Sequence, residues 1–79
     1  MSVNQFIIIE NESIMNALKK IDLNKKGFLI IVDLNKKVLG TLTDGDIRRA
    51  FISDNNITDS IINIYNKNFN KHNYQEKYA

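Results

Sequence analysis

The residues in this chain whose types and spacing could do chemistry lie in Gly40-Thr41-Leu42-Thr43-Asp44-Gly45-Asp46. An apolar, strand-like run ends there in a threonine, and an aspartate follows three residues later, at the predicted start of a helix. A helix N-terminus carries unpaired N–H groups and the positive end of the backbone dipole. It can therefore hold a phosphate, and a Thr43 hydroxyl adds a donor. Asp46, one turn inside, offers a carboxylate able to accept both hydroxyls of a ribose. Gly40 and Gly45 would let a ligand approach the backbone closely. The same spacing also has a purely local meaning: Thr-x-x-Asp is a variant of the capping box, which contributes about 0.5–2 kcal/mol without any ligand. The two roles are compatible, and spacing does not choose between them.

Other chemistry has less support. Arg48 and Arg49 either form a solvated or interface face or reach a ligand phosphate. Asp44 and Asp46 are too few oxygens for a hard cation, so no metal is expected. His72 is the only histidine, in a polar tail, and there is no cysteine, so neither a zinc site nor an acid/base pair is indicated. No Ser, Cys or His constellation suggests a nucleophile, and the chain is not expected to be an enzyme. Tyr65, Phe69, Tyr74 and Tyr78 fit packing better than a base-stacking platform.

The elements that must position the junction follow from hydropathy. Phe6-Ile7-Ile8-Ile9 reads as a short buried strand. Ser13 is an N-cap for a helix to about Asp22, with Ile14, Ala17, Leu18 and Ile21 on one stripe. Leu23-Asn24-Lys25-Lys26-Gly27 is a polar connection. Phe28-Leu29-Ile30-Ile31-Val32 is apolar throughout and predicts the central strand, covered on both faces. The Asp33-Leu34-Asn35 turn leads into a second run at Val38-Leu39-Gly40-Thr41-Leu42, making a hairpin. A second helix carries Ile47, Ala50 and Phe51 on one face. The spacing predicts a third, capped by Thr58, with Ile57 stapled to Ile62 and with Ile61, Ile64 and Tyr65 on its apolar stripe.

With 79 residues there is room for one domain, spanning 1–79 with a core over about 6–66. Residues 67–79 read as a tail or as the start of a second repeat. A chain this short buries only about 60% of its unfolded surface, and without cysteine association is the remaining way to extend its core. A net charge of +2, from 11 basic and 9 acidic residues, is no phosphate-tracking stripe, so no nucleic-acid partner is expected. No apolar run has membrane-spanning length, and the N-terminus lacks a signal peptide's basic start. No membrane partner and a cytoplasmic location are therefore expected.

Val32-Asp33 and Val38-Leu39-Gly40-Thr41-Leu42-Thr43-Asp44-Gly45-Asp46-Ile47-Arg48-Arg49-Ala50 resemble the signature of CBS domains, the regulatory domains first defined in cystathionine beta-synthase. The resemblance covers roughly residues 6–65. It implies an α/β (α+β) fold of order β-α-β-β-α: a small three-stranded sheet with helices packed on it, plus the third helix. It further implies tandem use, as a homodimer or with a second CBS repeat, around a cleft for an adenosine-containing ligand such as AMP, ATP or S-adenosylmethionine. By resemblance, Thr43 meets the phosphate and Asp46 the ribose. Backbone at Gly40, Thr41 and Leu42 lines the base or sugar, Ile8 or Ile9 covers the base, and Arg48 is a further ligand residue. The Thr-Asp-Gly-Asp-Ile-Arg-Arg version is similar to CBS regions attached to sugar-phosphate nucleotidyltransferases and isomerases, implying an attached enzyme domain. The alternative is a module that only dimerises. Only one copy of the motif is present, so a lone chain supplies half of such a cleft.

Overall fold

The computed structural model describes residues 3–67. A 3-10 turn at Val3–Phe6 leads into β1 (Ile7–Ile9), α1 (Ile14–Asn24), β2 (Phe28–Val32), β3 (Val38–Thr43) and α2 (Asp44–Ile52), and a second 3-10 turn follows at Ile61–Asn63. The three strands form one sheet in the order β1-β2-β3, with β1 parallel and β3 antiparallel to β2. The expected three-stranded sheet, its central strand and its hairpin are all present. Phe6 belongs to the turn rather than the strand, and its ring meets Phe28 with centroids 5.5 Å apart.

Register explains where the core sits. Ile8 pairs with Ile31, Leu29 with Leu42 and Ile31 with Gly40, so these residues share one face. That face is covered by Ile14, Ala17 and Ile21 of α1, Ile47 and Ala50 of α2, and Ile61 and Tyr65. The opposite face carries Ile7, Ile9, Phe28, Ile30, Val32, Thr41 and Thr43. Phe28 is 36% exposed, and Ile7, Ile9 and Ile30 are half-buried. The expectation that β2 is covered on both faces therefore holds fully on one only, since on the other Val32 is buried while Phe28 and Ile30 stay partly open: an apolar run describes the strand but not what lies against it.

Helix α1 begins as the sequence predicts, with Ser13 Oγ accepting the Asn16 N–H at 3.1 Å. It runs two residues past Asp22 because Asn24 has its polar groups satisfied in a fully buried position. Its Nδ2 donates to Gln5 O (2.9 Å) and Phe28 O (3.1 Å), and its Oδ1 accepts from Lys26 N (2.8 Å). Lys25 then closes the helix in the left-handed region at φ 59°.

The expected third helix is not formed. The Asp59 carbonyl, which a helix capped at Thr58 would give to the Asn63 N–H, instead accepts from Ile14 N at 2.8 Å, and Ile57 O accepts from Met15 N at 2.9 Å. These carbonyls satisfy two of the first-turn donors of α1 that no helix can satisfy internally. What remains is one 3-10 turn capped by Ser60, whose Oγ accepts from Ile62 N at 3.1 Å. Ile62 is 37% and Ile57 41% exposed, while Ile61 is fully buried and Tyr65 nearly so. Phe69, His72, Tyr74, Tyr78 and the suggested second repeat lie outside the described residues.

Candidate functional site

Strand β3 ends at Thr43, and Asp44 begins α2 with no intervening loop, so the junction is held by elements at both ends. Thr43 Oγ1 accepts the Asp46 N–H at 3.1 Å, and Asp46 Oδ2 accepts the Thr43 N–H at 3.0 Å. This is the reciprocal capping box. The Asp44 N–H donates to Gly27 O at 3.1 Å. Of the amides expected to gather here, those of Asp44 and Asp46 are already bonded, which leaves the Gly45 N–H as the first-turn donor without an acceptor among the described residues. The Thr43 hydroxyl keeps its own hydrogen, since it only accepts in the box.

Asp46 Oδ1 accepts from the Arg49 guanidinium in an i,i+3 ion pair. The Arg49 side chain is 71% exposed, so solvent screens the pair and the guanidinium can leave at small cost. A carboxylate has about four lone-pair sites, and two are used here. Asp46 thus keeps acceptor capacity toward a shallow depression of about 260 Å³ that it lines with Arg49, Ala50, Ser53, Asn55, Asn63 and Ile64. Arg49, not Arg48, is the arginine tied to Asp46. Arg48 is exposed on α2 and does not line this depression. The expectation that singled out Arg48 as a ligand residue chose the neighbour of the one tied to Asp46, and the i,i+3 spacing from Asp46 was the signal that pointed to Arg49.

The remaining expected ligand residues sit elsewhere. Leu42 is fully buried in the core. Gly40 is buried too, and the space its missing Cβ leaves is filled from within the chain: the Asn66 carbonyl oxygen lies against it and Tyr65 Cδ1 is 2.9 Å from the Cβ position. Close approach to Gly40 is therefore made by the protein's own backbone, not left open as the sequence suggested. Thr41 exchanges two backbone bonds with Asn66, from Thr41 N to Asn66 O (3.2 Å) and from Asn66 N to Thr41 O (2.8 Å). Ile9 lines a different groove, of about 210 Å³, with Ile7, Ile8 and Val32 on its apolar side and Lys20 and Lys36 among its polar residues. The groove and the depression share no residue. One chain alone does not bring Ile9 to Asp46.

Among the described residues no cluster of three or more His, Cys, Asp or Glu side chains could hold a metal, and no helix is long and apolar enough to cross a membrane. No protein-family model matches the sequence, and no curated protein matches it. Solved structures do. A CBS-domain-containing protein of Agrobacterium tumefaciens superposes with a TM-score of 0.73 at 23% identity, over 78% of this chain and 48% of its own. A conserved CBS-domain protein of unknown function from Thermoplasma acidophilum gives 0.72 at 23% identity, over 86% of this chain and 39% of its own. A CBS domain pair/ACT domain protein of Thermotoga maritima gives 0.65 at 16% identity, over 87% and 59%. The chain has the fold of CBS-domain proteins and spans between 39% and 59% of the length of these structures.

Proposed function

We propose that this chain is a non-catalytic regulatory unit that works in the cytoplasm as one half of a CBS pair. In that pair it binds an adenosine-containing ligand (AMP, ATP or S-adenosylmethionine) at a shared cleft and passes occupancy to an attached enzyme domain. The observation that carries this is the Thr43–Asp46 junction. Its hydroxyl hydrogen, the Gly45 N–H and the spare acceptor capacity of Asp46 stand together where a strand enters a helix. Donors suit a phosphate and the carboxylate suits ribose hydroxyls. Thr43 and Ile9 both lie on the open sheet face, at opposite ends of it. A second unit packed on that face would cover Ile7, Ile9, Phe28 and Ile30 and supply the wall that one chain lacks. Regulation then follows from differential affinity: the ligand favours whichever arrangement of the pair binds it better. The Thr-Asp-Gly-Asp-Ile-Arg-Arg stretch suggests a sugar-phosphate nucleotidyltransferase or isomerase as the attached enzyme.

Calorimetric titration of AMP, ATP and S-adenosylmethionine into the full-length protein tests this. Heat from at least one, absent in Asp46→Ala, is expected. No heat from any of the three would sink the sensing role.

A second reading has its own observation, because both Thr43 and Asp46 are already engaged in capping. On this account the module only dimerises through the open sheet face. It predicts that Asp46→Ala lowers stability with no ligand-dependent melting in either protein, whereas sensing predicts a ligand-dependent rise in Tm that the variant lacks.

A further inference from the structure

The segment Ile61–Asn66 touches both the candidate site and the edge of β3. Asn63 and Ile64 line the Asp46 depression. Two residues later, Asn66 pairs with Thr41 on the edge of β3, and Tyr65 lies in the space left by Gly40. At the other end the Ile61 N–H donates to Glu12 O at 2.8 Å. Between these anchors Ile64 N and Tyr65 N both donate to Ile61 O, at 2.9 and 3.2 Å. A single 3-10 turn has little stability of its own, so the segment is held by these anchors and by the burial of Ile61 and Tyr65 in the core.

We infer that Ile62–Asn66, pivoting on the buried Ile61, is a strap latched on β3 at Gly40 and Thr41, whose opening withdraws Tyr65 from the core but leaves the sheet and both helices folded, and which relays occupancy of the Asp46 depression to the residues that follow Asn66. A Cβ at residue 40 would meet the Asn66 backbone, and backbone cannot rotate aside as a flexible side chain can. Residue 40 is therefore the latch. Release of the strap frees the edge of β3 and removes one wall of the depression. The relay rests on the ligand-binding role proposed above; the latch does not.

Native-state hydrogen exchange on the full chain tests both. The Tyr65 and Asn66 amides should exchange roughly tenfold or more faster than those of Leu29 and Ile31, with weaker dependence on denaturant. Gly40→Ala should abolish protection at Thr41 and Asn66 while leaving Leu29 and Ile31 protected. If wild-type Tyr65 and Asn66 open only with Leu29 and Ile31, the latch is overturned, whether or not the variant folds. With AMP or ATP, a ligand that calorimetry shows to bind should slow exchange at Tyr65 and Asn66. Binding without that change overturns the relay, and an absence of heat overturns the ligand-binding role and the relay together.

Discussion

Thr43 and Asp46 hold each other's backbone: the hydroxyl of one accepts the amide of the other at 3.1 Å, and the carboxylate returns the bond at 3.0 Å. Because each residue serves one box, removing either dismantles most of it. Thr43→Ala and Asp46→Ala should each cost about 0.5–2 kcal/mol, and the double variant clearly less than the sum. Thr43→Ser keeps the oxygen and should stay near wild type. Urea denaturation of wild type and the four variants checks this, and costs that simply add would show that the two bonds act independently.

Asn24 ties the turn before β1, the end of α1 and the start of β2 through three hydrogen bonds made from a position with no exposure. Asn24→Leu would strand the Gln5 and Phe28 carbonyls and the Lys26 amide. A loss of about 1–3 kcal/mol is expected, since a buried polar group left unpaired carries its full desolvation cost. Asn24→Asp should be no milder, because a carboxylate cannot donate to those two carbonyls. An unchanged denaturation midpoint in either variant would show that water enters in place of the amide.

The capping box and Asn24 mark what the sequence could and could not reveal. The capping box was legible because its partners are three residues apart and its chemistry is local. The sheet order was legible for a similar reason, from an apolar run, a turn and a second run. Asn24 looked like part of a polar connection because its acceptors, Gln5 and Phe28, come together only after folding. The third helix was expected on a good local pattern, Thr58 with Ile61, Ile64 and Tyr65, but tertiary demand won: unpaired amides at the start of α1 took the Ile57 and Asp59 carbonyls. Gly40 was the reverse case. A glycine in a strand announces a close approach, but not whether a ligand or Asn66 makes it.

Two glycines should respond to alanine in opposite directions. Gly27 has φ +77°, in the left-handed region, where a Cβ crowds its own carbonyl, so Gly27→Ala should cost about 1–2 kcal/mol. Gly45 lies in the first turn of α2, where an added Cβ would meet nothing nearer than the 3.5 Å to the Arg48 guanidinium. Gly45→Ala should stabilise by about 0.4–1 kcal/mol by restricting the unfolded chain. Thermal melts of both variants check the pair, and the same sign for both would contradict it. If Gly45 also admits a ligand phosphate to its amide, the stabilised variant should bind more weakly.

Tyr65 gives the fold a dependence on alkaline pH. Its ring is buried, and its hydroxyl faces Glu10 Oε2 at 3.4 Å. Burial first, then the Glu10 charge and the hydrogen bond to it, raise the phenol above its ordinary value. Above about pH 10, where a tyrosine of the unfolded chain releases its proton, folded Tyr65 still keeps its own. The folded state then binds more protons than the unfolded state, so stability falls as pH climbs through that window and is fully retained below it. Tyr65→Phe removes the titrating group but keeps the ring against Gly40. The variant should therefore match wild type closely at pH 7, where a 3.4 Å bond contributes little, and should lose less stability above pH 10. Urea midpoints measured for both proteins from pH 7 to the alkaline limit decide it. Parallel curves would show that the Tyr65 hydroxyl reaches water and Glu10 does not hold it.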